Sequence, residues 1–415
     1  MRMFARNVGL GHGACRVRLM VVPGLLLGLS AGCQFTGHKS AARQDNTIRA
    51  IWVTRWDFKS PGDITRIMRR CQSSGFNTIL FQVRGNGTVL YRSRMEPWAN
   101  ELGGTDPGFD PLQIACTEAH RRGLALHAWV NVIPGWRGKQ PPTDPHQLYN
   151  ARPDWFWRDA SGRRQPLGWY NSVNPCYPEV RRYLADLTGE IAANYDVDGI
   201  HLDYIRFPNE RNDSYPPEAA VPDYPRDPRT LAMFRKQTGQ SPDSDPRGWD
   251  RWRTRQVTQL LREIRATAKR TKPSIALSAA VGPMPARAKR AHFQDSRQWL
   301  AERLLDAVYP MNYDADMRGF DRALAQWQRA TGGIPVVMGI RCDGRDPNLV
   351  RKQLDRAVRS GKHFCVFAYN AIFERRDAHG RPVRDGQARA RAQLRRRVVP
   401  QIRKLASAAH RKWLW

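Results

Sequence analysis

The chain has 415 residues, of which 41% are hydrophobic, 10% aromatic and 26% charged, a composition that fits a globular protein with a large core. These values exclude a disordered chain, a collagen and a multi-span membrane protein. The 68 lysines and arginines exceed the 38 aspartates and glutamates and give a net charge of +30, which favours anionic partners such as acidic glycans, phospholipid headgroups or nucleic acid.

Residues 1–33 have the layout of an export signal. Four arginines precede an apolar run over 19–29, which is followed by Ser30-Ala31-Gly32-Cys33. The run is shorter than the roughly 20 residues that a membrane-spanning helix needs. Small residues before Cys33 resemble a bacterial lipobox, which implies a cleaved lipoprotein signal peptide and a lipidated Cys33 that anchors the chain to a membrane, facing the periplasm or the cell exterior. An ordinary secretory signal is the alternative; either way, export argues against nucleic acid as a partner.

After a polar tether over 34–47, short apolar segments alternate with helical patterns along the chain. Each predicted helix follows a predicted strand in this alternation. The strands are predicted at 48–54, 78–84, 125–132, 199–207, 275–281, 307–313, 335–341 and 364–369. The helices are predicted at 64–74, 111–122, 179–194, 250–270, 296–306, 320–330, 348–359 and 387–410.

Eight strand–helix units indicate parallel pairing through crossover helices, so the predicted fold is a single α/β domain, a (β/α)₈ TIM barrel over 48–385. Residues 386–415 form a basic C-terminal helix packed on the barrel or extending from it. This helix is predicted either to contact an anionic membrane or polymer or to be a solvated face. In such a barrel the active site lies where the strands end, so chemistry is expected directly after each strand.

Two connections are long enough to build a binding wall. The segment 133–178 is rich in tryptophan and tyrosine, and 209–247 is rich in proline and aspartate without a convincing helical period. Aromatic rings suit the apolar faces of sugars, although each ring alone could equally pack within its loop. We therefore expect these long loops, after strands three and four, to hold substrate.

The strongest local signal is DGIHLDYIRFP at 198–208. Alternation along this strand places Asp203 near its carboxyl end, where a carboxylate is costly to bury without a partner. Asp203 is the first candidate for a catalytic carboxylate, and an ion pair with Arg206 is the alternative. Asp198, at the other end of the strand, is interpreted as structural.

The second signal is YPMNYDAD at 309–316, at the end of the sixth strand. A carboxylate here could face Asp203 across the barrel mouth, and glycoside cleavage needs such a pair. Asp314 is the preferred partner and Asp316 the weaker one, while loop capping or ion pairing remains open for both. Glu96 is a further acid/base candidate.

Other strand ends carry polar or aromatic side chains suited to hydroxyl recognition, or to a hydrogen-bond network that does not touch substrate. No metal-binding spacing occurs, so no metal or other cofactor is expected, and the cysteines after residue 33 are expected to be buried free thiols. The substrate-binding candidates are Arg55, Trp56, Gln82, Arg84, His127, Trp129, Asn131, His201, Tyr204, Arg206, Asn312, Tyr313, Arg341 and Tyr369.

Several phrases, in this order, resemble the bacterial glycosyl hydrolase-like family 10. They are IRAIWVTRWDF, FNTILFQVRGNG, YRSRMEPWANELGG, GFDPLQIACTEAHRRGLALHAWVNV, RPDW and DGIHLDYIRFP; the match is looser after about residue 249. The resemblance implies a TIM-barrel glycosidase-like protein, often exported or lipid-anchored, in a group that includes an enzyme cutting peptide-free peptidoglycan strands. It supports Asp203, and through HAWVN it supports His127, Trp129 and Asn131.

DGIHLDYI and MNYD are also distantly similar to two motifs of family 18 chitinases. His201 stands where those enzymes have an aspartate, and Ile205 stands where they have the proton-donating glutamate, so their chemistry lacks its acid here. Other barrel glycosidases use a strand-four aspartate as nucleophile and a strand-six aspartate as acid/base. We therefore predict a hydrolase of an envelope polysaccharide in which Asp203 and Asp314 have those roles; the alternative is a glycan-binding barrel without turnover.

Overall fold

The computed structural model of the protein describes residues 47–207, 223–328, 332–361, 363–374, 381–383 and 386–411. The predicted signal peptide, Cys33 and most of the tether lie outside these residues. Among the helices so described, none has the length and apolar content needed to cross a bilayer.

The residues that the structure describes form ten strands and twelve α-helices. The strands are β1 (Arg49–Val53), β2 (Thr78–Arg84), β3 (Ala125–Asn131), β4 (Pro134–Arg137), β5 (Tyr170–Ser172), β6 (Gly199–Asp203), β7 (Ala276–Val281), β8 (Ala307–Pro310), β9 (Met338–Arg341) and β10 (Phe364–Phe367). The helices are α1 (Pro61–Ser73), α2 (Pro111–His120), α3 (Leu148–Ala151), α4 (Pro178–Asn194), α5 (Pro228–Thr238), α6 (Pro246–Thr271), α7 (Pro285–His292), α8 (Ser296–Ala301), α9 (Met317–Trp327), α10 (Pro347–Gly361), α11 (Tyr369–Ile372) and α12 (Ala388–Arg411).

Eight of the strands form one parallel sheet in the order β8-β7-β6-β3-β2-β1-β10-β9. Its two edges meet because Val308 N donates to Pro335 O at 3.0 Å and Val337 N donates to Val308 O at 2.8 Å. The remaining strands, β4 and β5, form an antiparallel pair inserted after β3; a long segment that includes α3 joins them, and we call this pair the hairpin. The predicted (β/α)₈ barrel is therefore confirmed, with the hairpin as an addition to it.

Side-chain alternation along the strands separates two hydrophobic layers. Inward-facing Trp52, Leu80, Trp129, Tyr309 and Cys365 fill the centre of the barrel. The residues between them in sequence point outward and pack with the helices into a much larger cluster. The centre of the barrel is therefore packed with side chains and does not form a channel.

Three segments depart from prediction near the mouth. β6 ends at Asp203 rather than Phe207, because Tyr204 has a φ of +50° and turns the chain out of the sheet. β8 ends at Pro310, where the sequence pattern predicts a strand to residue 313. The segment 209–247, which is predicted to lack a helix and is described from residue 223 onward, contains α5. Asp227 caps this helix at its start and Gly239 ends it, and its buried residues are Thr230 and Phe234.

The basic C-terminal helix completes the ring of helices around the barrel. α12 contacts α10 and α11, and it buries Leu394, Val398 and Ile402. Arg403 Nε donates to Ser73 O at 2.7 Å and so ties its far end to α1. The helix therefore occupies the place of the eighth barrel helix.

The opposite end of the barrel is held by side chains that take no part in the mouth. Asp198 accepts from Leu126 N at 2.7 Å and lies 3.0 Å from His120 Nε2, in keeping with its structural interpretation. The cysteines of the described residues, Cys71, Cys116, Cys176, Cys342 and Cys365, are buried free thiols, as expected.

Candidate functional site

A cavity of about 500 Å³ opens at the carboxyl ends of the barrel strands. Its floor comes from the strands and its walls from the β4–β5 hairpin and the loops after β6 and β7. It is lined by Trp52, Thr54, Trp56, Gln82, Trp129, Asn131, Arg137, Trp169, Tyr170, Asp203, Tyr204, Arg206, Ala280, Gly282, Pro283, His292, Met311, Tyr313 and Phe367.

Asp203 supplies the one carboxylate among the described residues that line this cavity. It is the last residue of β6 and is 8% exposed. Its Oδ1 accepts from Tyr204 N at 2.7 Å and lies 3.6 Å from Arg206 Nη1. The strand end and the turn that follows it therefore hold the carboxylate against the cavity.

Tyr313 faces the same carboxylate from the loop after β8. Burial, and after it the negative charge of Asp203, raises the pKa of Tyr313 well above its usual value. The phenol is therefore neutral over the physiological range and can donate a hydrogen bond into the cavity.

An aromatic wall surrounds the mouth. Trp169 and Tyr170 have ring centroids 5.4 Å apart, and Tyr170 and Tyr204 are 4.9 Å apart. Trp56, which follows β1, also lines the cavity and is 39% exposed. Exposed or edge-packed rings at a cavity mouth provide flat apolar surface for the faces of sugar rings.

Amide side chains on β2 and β3 are held in fixed orientations below this wall. Asn131 Oδ1 accepts from Trp129 Nε1 at 3.1 Å, and Asn131 Nδ2 donates to Gly85 O at 3.1 Å. Gln82 Oε1 accepts from Arg55 N at 3.1 Å. Since Asn131 pairs with Asp203 in the sheet, an oriented amide stands beside the carboxylate.

The hairpin is fastened to the barrel by a second buried amide. Gln147 Nε2 donates to Gly135 O at 2.6 Å and to Asn86 O at 3.0 Å. These bonds fix the loop after β2 against β4, the strand that ends in Arg137. Hydrogen bonds from the Gln147 side chain to the backbone therefore help to position Arg137 at the mouth.

Arg84 and Glu96 form a buried ion pair outside the cavity. Their side chains are 0% exposed, and Arg84 Nη2 lies 2.7 Å from Glu96 Oε1. Arg84 also donates to Val132 O at 3.0 Å and to Pro134 O at 3.1 Å. Both side chains are saturated by protein groups, so the structure places them in the support of the hairpin.

The two predicted histidines lie below the cavity, in the barrel interior. His201 is completely buried, accepts from Trp52 Nε1 at 3.1 Å and contacts Ser278 Oγ at 3.0 Å. Burial lowers the pKa of His201 well below its usual value and lowers that of His127 to about 4. Both imidazoles are therefore neutral, and neither lines the cavity.

Asp314 and Asp316 lie at the start of α9. Asp316 caps this helix, since its side chain accepts from Gly319 N at 2.8 Å. The Asp314 carboxylate covers the same turn: a Cβ added at Gly319 would lie 2.1 Å from both of its oxygens. Neither residue lines the cavity, so the structure does not bring Asp314 and Asp203 together there.

Three further candidates lie away from the lining. Asn312 is buried and donates to Phe320 O at 3.0 Å, and Arg341 Nη2 lies 3.3 Å from Asp343. Tyr369 is buried, and its hydroxyl lies 3.4 Å from Arg70 Nη1. Arg55 lines a neighbouring cavity. The substrate-binding candidates that line the main cavity are Trp56, Gln82, Trp129, Asn131, Tyr204, Arg206 and Tyr313.

Three polar residues of the lining, Thr54, Arg137 and His292, were not among the sequence candidates. Arg137 lies in the aromatic-rich segment, but nothing in its local sequence shows that a hairpin turns it toward the barrel mouth. His292 ends α7, an unpredicted helix, and its Nδ1 lies 3.1 Å from Phe207 O. Among the described residues, no cluster of His, Cys, Asp or Glu could hold a metal ion.

The sequence matches the family model described as "Glycosyl hydrolase-like 10" over residues 47–342. It is 29% identical over 291 residues to "Glycosyl hydrolase DigH" of Escherichia coli (strain K12), covering 62% of this chain and 59% of that protein. It is 26% identical over 324 residues to "Glycosyl hydrolase YngK" of Bacillus subtilis (strain 168), covering 69% and 58%. The chain thus spans less than two thirds of the length of these relatives.

The fold is also similar to that of a solved glycosidase domain. The PgaB (BpsB) glycoside hydrolase domain from Bordetella bronchiseptica superposes with a TM-score of 0.59 at 14% identity, covering 79% of this chain and 95% of that one. At this identity the likeness concerns the barrel alone.

Proposed function

Because this chain belongs to the glycosyl hydrolase-like 10 family, we propose that it is a glycoside hydrolase of a cell-envelope or extracellular polysaccharide. Peptidoglycan glycan strands are the leading substrate. The observation that carries the proposal is the Asp203 carboxylate at the end of β6, in a cavity walled by Trp56, Trp169 and Tyr170. A carboxylate beneath aromatic rings supplies one of the two acidic groups that glycoside cleavage uses, together with a surface for the sugar.

We propose that Asp203 acts as nucleophile or as the charge that stabilises a developing oxocarbenium ion. The neutral Tyr313 phenol and the Asn131 amide would orient hydroxyl groups beside it. Proton transfer to the leaving oxygen needs a second group. The sequence candidates Asp314, Asp316 and Glu96 all lie outside the described cavity lining, so we assign the nucleophile or stabilising charge to Asp203 and assign the proton donor to none of the three.

A glycan-binding barrel without turnover is the second candidate. It is favoured by the same observation that limits the first: the described cavity lining holds a single carboxylate. The aromatic wall would serve binding alone in that case.

Incubation with purified peptide-free glycan strands, followed by mass spectrometry of the soluble products, tests the hydrolase. The wild-type chain is expected to release fragments with new reducing ends. Asp203→Asn is expected to lower release at least about 1000-fold while still pelleting with sacculi. Full activity in this variant would remove Asp203 from the mechanism.

A matched control uses Asp198→Asn, which changes a carboxylate of the same strand region at the other end of the barrel. Release by this variant should follow the amount of folded protein. Binding without product by the wild-type chain would favour the second candidate, and absence of both would contradict both.

We further propose that the chain is exported and anchored through a lipid on Cys33. The apolar run over 19–29 and the small residues before Cys33 support this. Metabolic labelling with a fatty-acid analogue should mark the wild-type chain and not Cys33→Ala, and the variant should leave the membrane fraction. Equal labelling of both would contradict the proposal.

A further inference from the structure

A second cavity, of about 400 Å³, adjoins the one that holds Asp203. Trp56 and Arg137 line both, so the two cavities lie side by side at the barrel mouth. A chain-like ligand bound over Asp203 would extend into this second space. The walls of the second cavity therefore act on the neighbouring units of a polymer.

The second cavity is strongly cationic. Arg55, Arg137 and Lys139 line it, against the single carboxylate of Glu101, so its lining carries two net positive charges. Arg55 Nε lies 2.5 Å from Glu101 Oε1, which neutralises that pair. Arg137 and Lys139 have no ion pair with any described residue.

Arg137 is positioned by rings instead of by an acid. Its guanidinium carbon lies 4.7 Å from the ring centroid of Trp169, 5.4 Å from Tyr170 and 5.9 Å from Trp56. Ring faces orient a guanidinium while leaving its N–H donors free for another acceptor. A planar group with two oxygens is the partner that this fork fits best.

Arg55 adds a buried donor to the same cavity. Its residue is 2% exposed, and its Nη1 has no hydrogen-bond partner among the described residues. The guanidinium rests on Gly85, where an added Cβ would lie 1.8 Å from Nη1. A buried donor without an acceptor costs free energy, and a ligand that accepts its hydrogen bond removes this cost.

We propose that this second cavity is a subsite for a carboxylate carried by a sugar next to the one held over Asp203. The inference rests on the proposed function and narrows it to an acidic polysaccharide. Arg137 receives the carboxylate, with Lys139 as a second cation and Trp56 as the platform for the sugar that bears it.

The test compares two polymers with one backbone. Peptide-free peptidoglycan strands carry a carboxyl group on alternate sugars, and conversion of these groups to methylamides removes the charge alone. Calorimetric titration of the wild-type chain should give a Kd at least about tenfold lower for the charged strands. Equal affinity for the two polymers overturns the inference, as does failure to bind either.

Variants separate the subsite from the general positive field of the molecule. Arg137→Gln with Lys139→Gln should remove most of the preference, while Arg137→Lys should keep part of it. Arg69→Gln, an exposed arginine of α1 without an ion pair among the described residues, should leave it unchanged. A preference that survives in the double variant overturns the inference, and near-ultraviolet circular dichroism checks that the variant is folded.

The hydrolase proposal is judged in the same samples by product release. Binding with the expected preference but without fragments would contradict hydrolysis and leave the subsite standing. Cleavage of both polymers, bound with equal affinity, would support hydrolysis and contradict the subsite.

Discussion

At the scale of single residues, the carboxylates of this barrel have separate tasks. Asp203 ends a strand and faces a cavity, whereas Glu96 is buried against Arg84 and Asp316 caps a helix. The sequence shows all three as acids near strand ends. Which of them lines a cavity depends on contacts between elements that are distant in sequence.

Asp314→Asn is expected to retain kcat on glycan strands within about tenfold, because its carboxylate lies over the first turn of α9. Asp203→Asn, measured beside it, should lose at least about 1000-fold. Initial rates of reducing-end release are the measurement. A comparable loss in both variants would mean that Asp314 reaches the glycosidic oxygen.

Glu96→Ala should lower the free energy of unfolding by about 3–5 kcal/mol, because it leaves the guanidinium of Arg84 buried without its carboxylate. Urea denaturation followed by fluorescence measures this. Glu302→Ala breaks the exposed pair with Arg262 and should cost less than about 1 kcal/mol. Similar losses in both variants would contradict the argument from burial.

His127 makes stability depend on pH. Its pKa falls from 6.5 to about 4 on folding because burial disfavours the charged ring. The unfolded chain therefore binds this proton more readily, so the stabilisation is complete above about pH 6.5 and is lost as the pH falls toward 4, by about 3 kcal/mol.

Urea denaturation at pH 7.5 and pH 4.5 tests this. His127→Gln should reduce the difference in unfolding free energy between the two pH values by about 2–3 kcal/mol. His146→Gln changes an exposed histidine and should leave that difference as it is in the wild-type chain. Equal pH dependence in all three chains would show that His127 does not contribute.

At the scale of elements, regular segments were predictable and their ends were not. β2 was predicted over the residues that it occupies, because seven buried positions follow one another without a turn residue. β6 ends early because Tyr204 adopts a left-handed conformation. Tyrosine has no preference for this conformation, so the sequence does not predict it. α5 was missed because caps define it rather than an apolar period.

The candidate site divides in the same way. Asp203, Gln82 and Asn131 were predictable because alternation along a parallel strand fixes both the face and the end on which a residue lies. Arg137 was not, since its place depends on the hairpin and on the buried amide of Gln147. Long-range hydrogen bonds of this kind leave no periodic trace in a sequence.

Removal of α12 by a stop codon after Gln387 should abolish cooperative unfolding, because the helix buries Leu394, Val398 and Ile402 against the barrel. Thermal unfolding by circular dichroism measures this. Changing the exposed Arg396 and Lys404 to glutamine should shift the unfolding free energy by less than about 0.5 kcal/mol. A cooperative transition in the truncated chain would show that α12 is an extension of the barrel.

At the scale of the whole molecule, the net charge of +30 is expected to raise the rate at which the proposed acidic substrate associates. Long-range attraction is screened over about 10 Å at 0.1 M salt, whereas stacking on Trp56 and Trp169 is not. The two contributions can therefore be separated by ionic strength.

Association rates with charged glycan strands should fall about tenfold between 20 and 200 mM salt. The rates with methylamidated strands should change little. Stopped-flow tryptophan fluorescence measures both. Equal salt sensitivity for the two polymers would contradict steering by charge.

The hairpin β4–β5 has a consequence for how the protein can change. Asp203 belongs to a barrel strand, whereas Arg137 and Tyr170 belong to an insertion between β3 and α4. Because this insertion is held to the barrel by local hydrogen bonds, it can be replaced by another insertion without a change in the eight-stranded sheet. Under the proposed function, preference for one polymer over another could thus change by recombination of this insertion, while the barrel strand that carries Asp203 is retained.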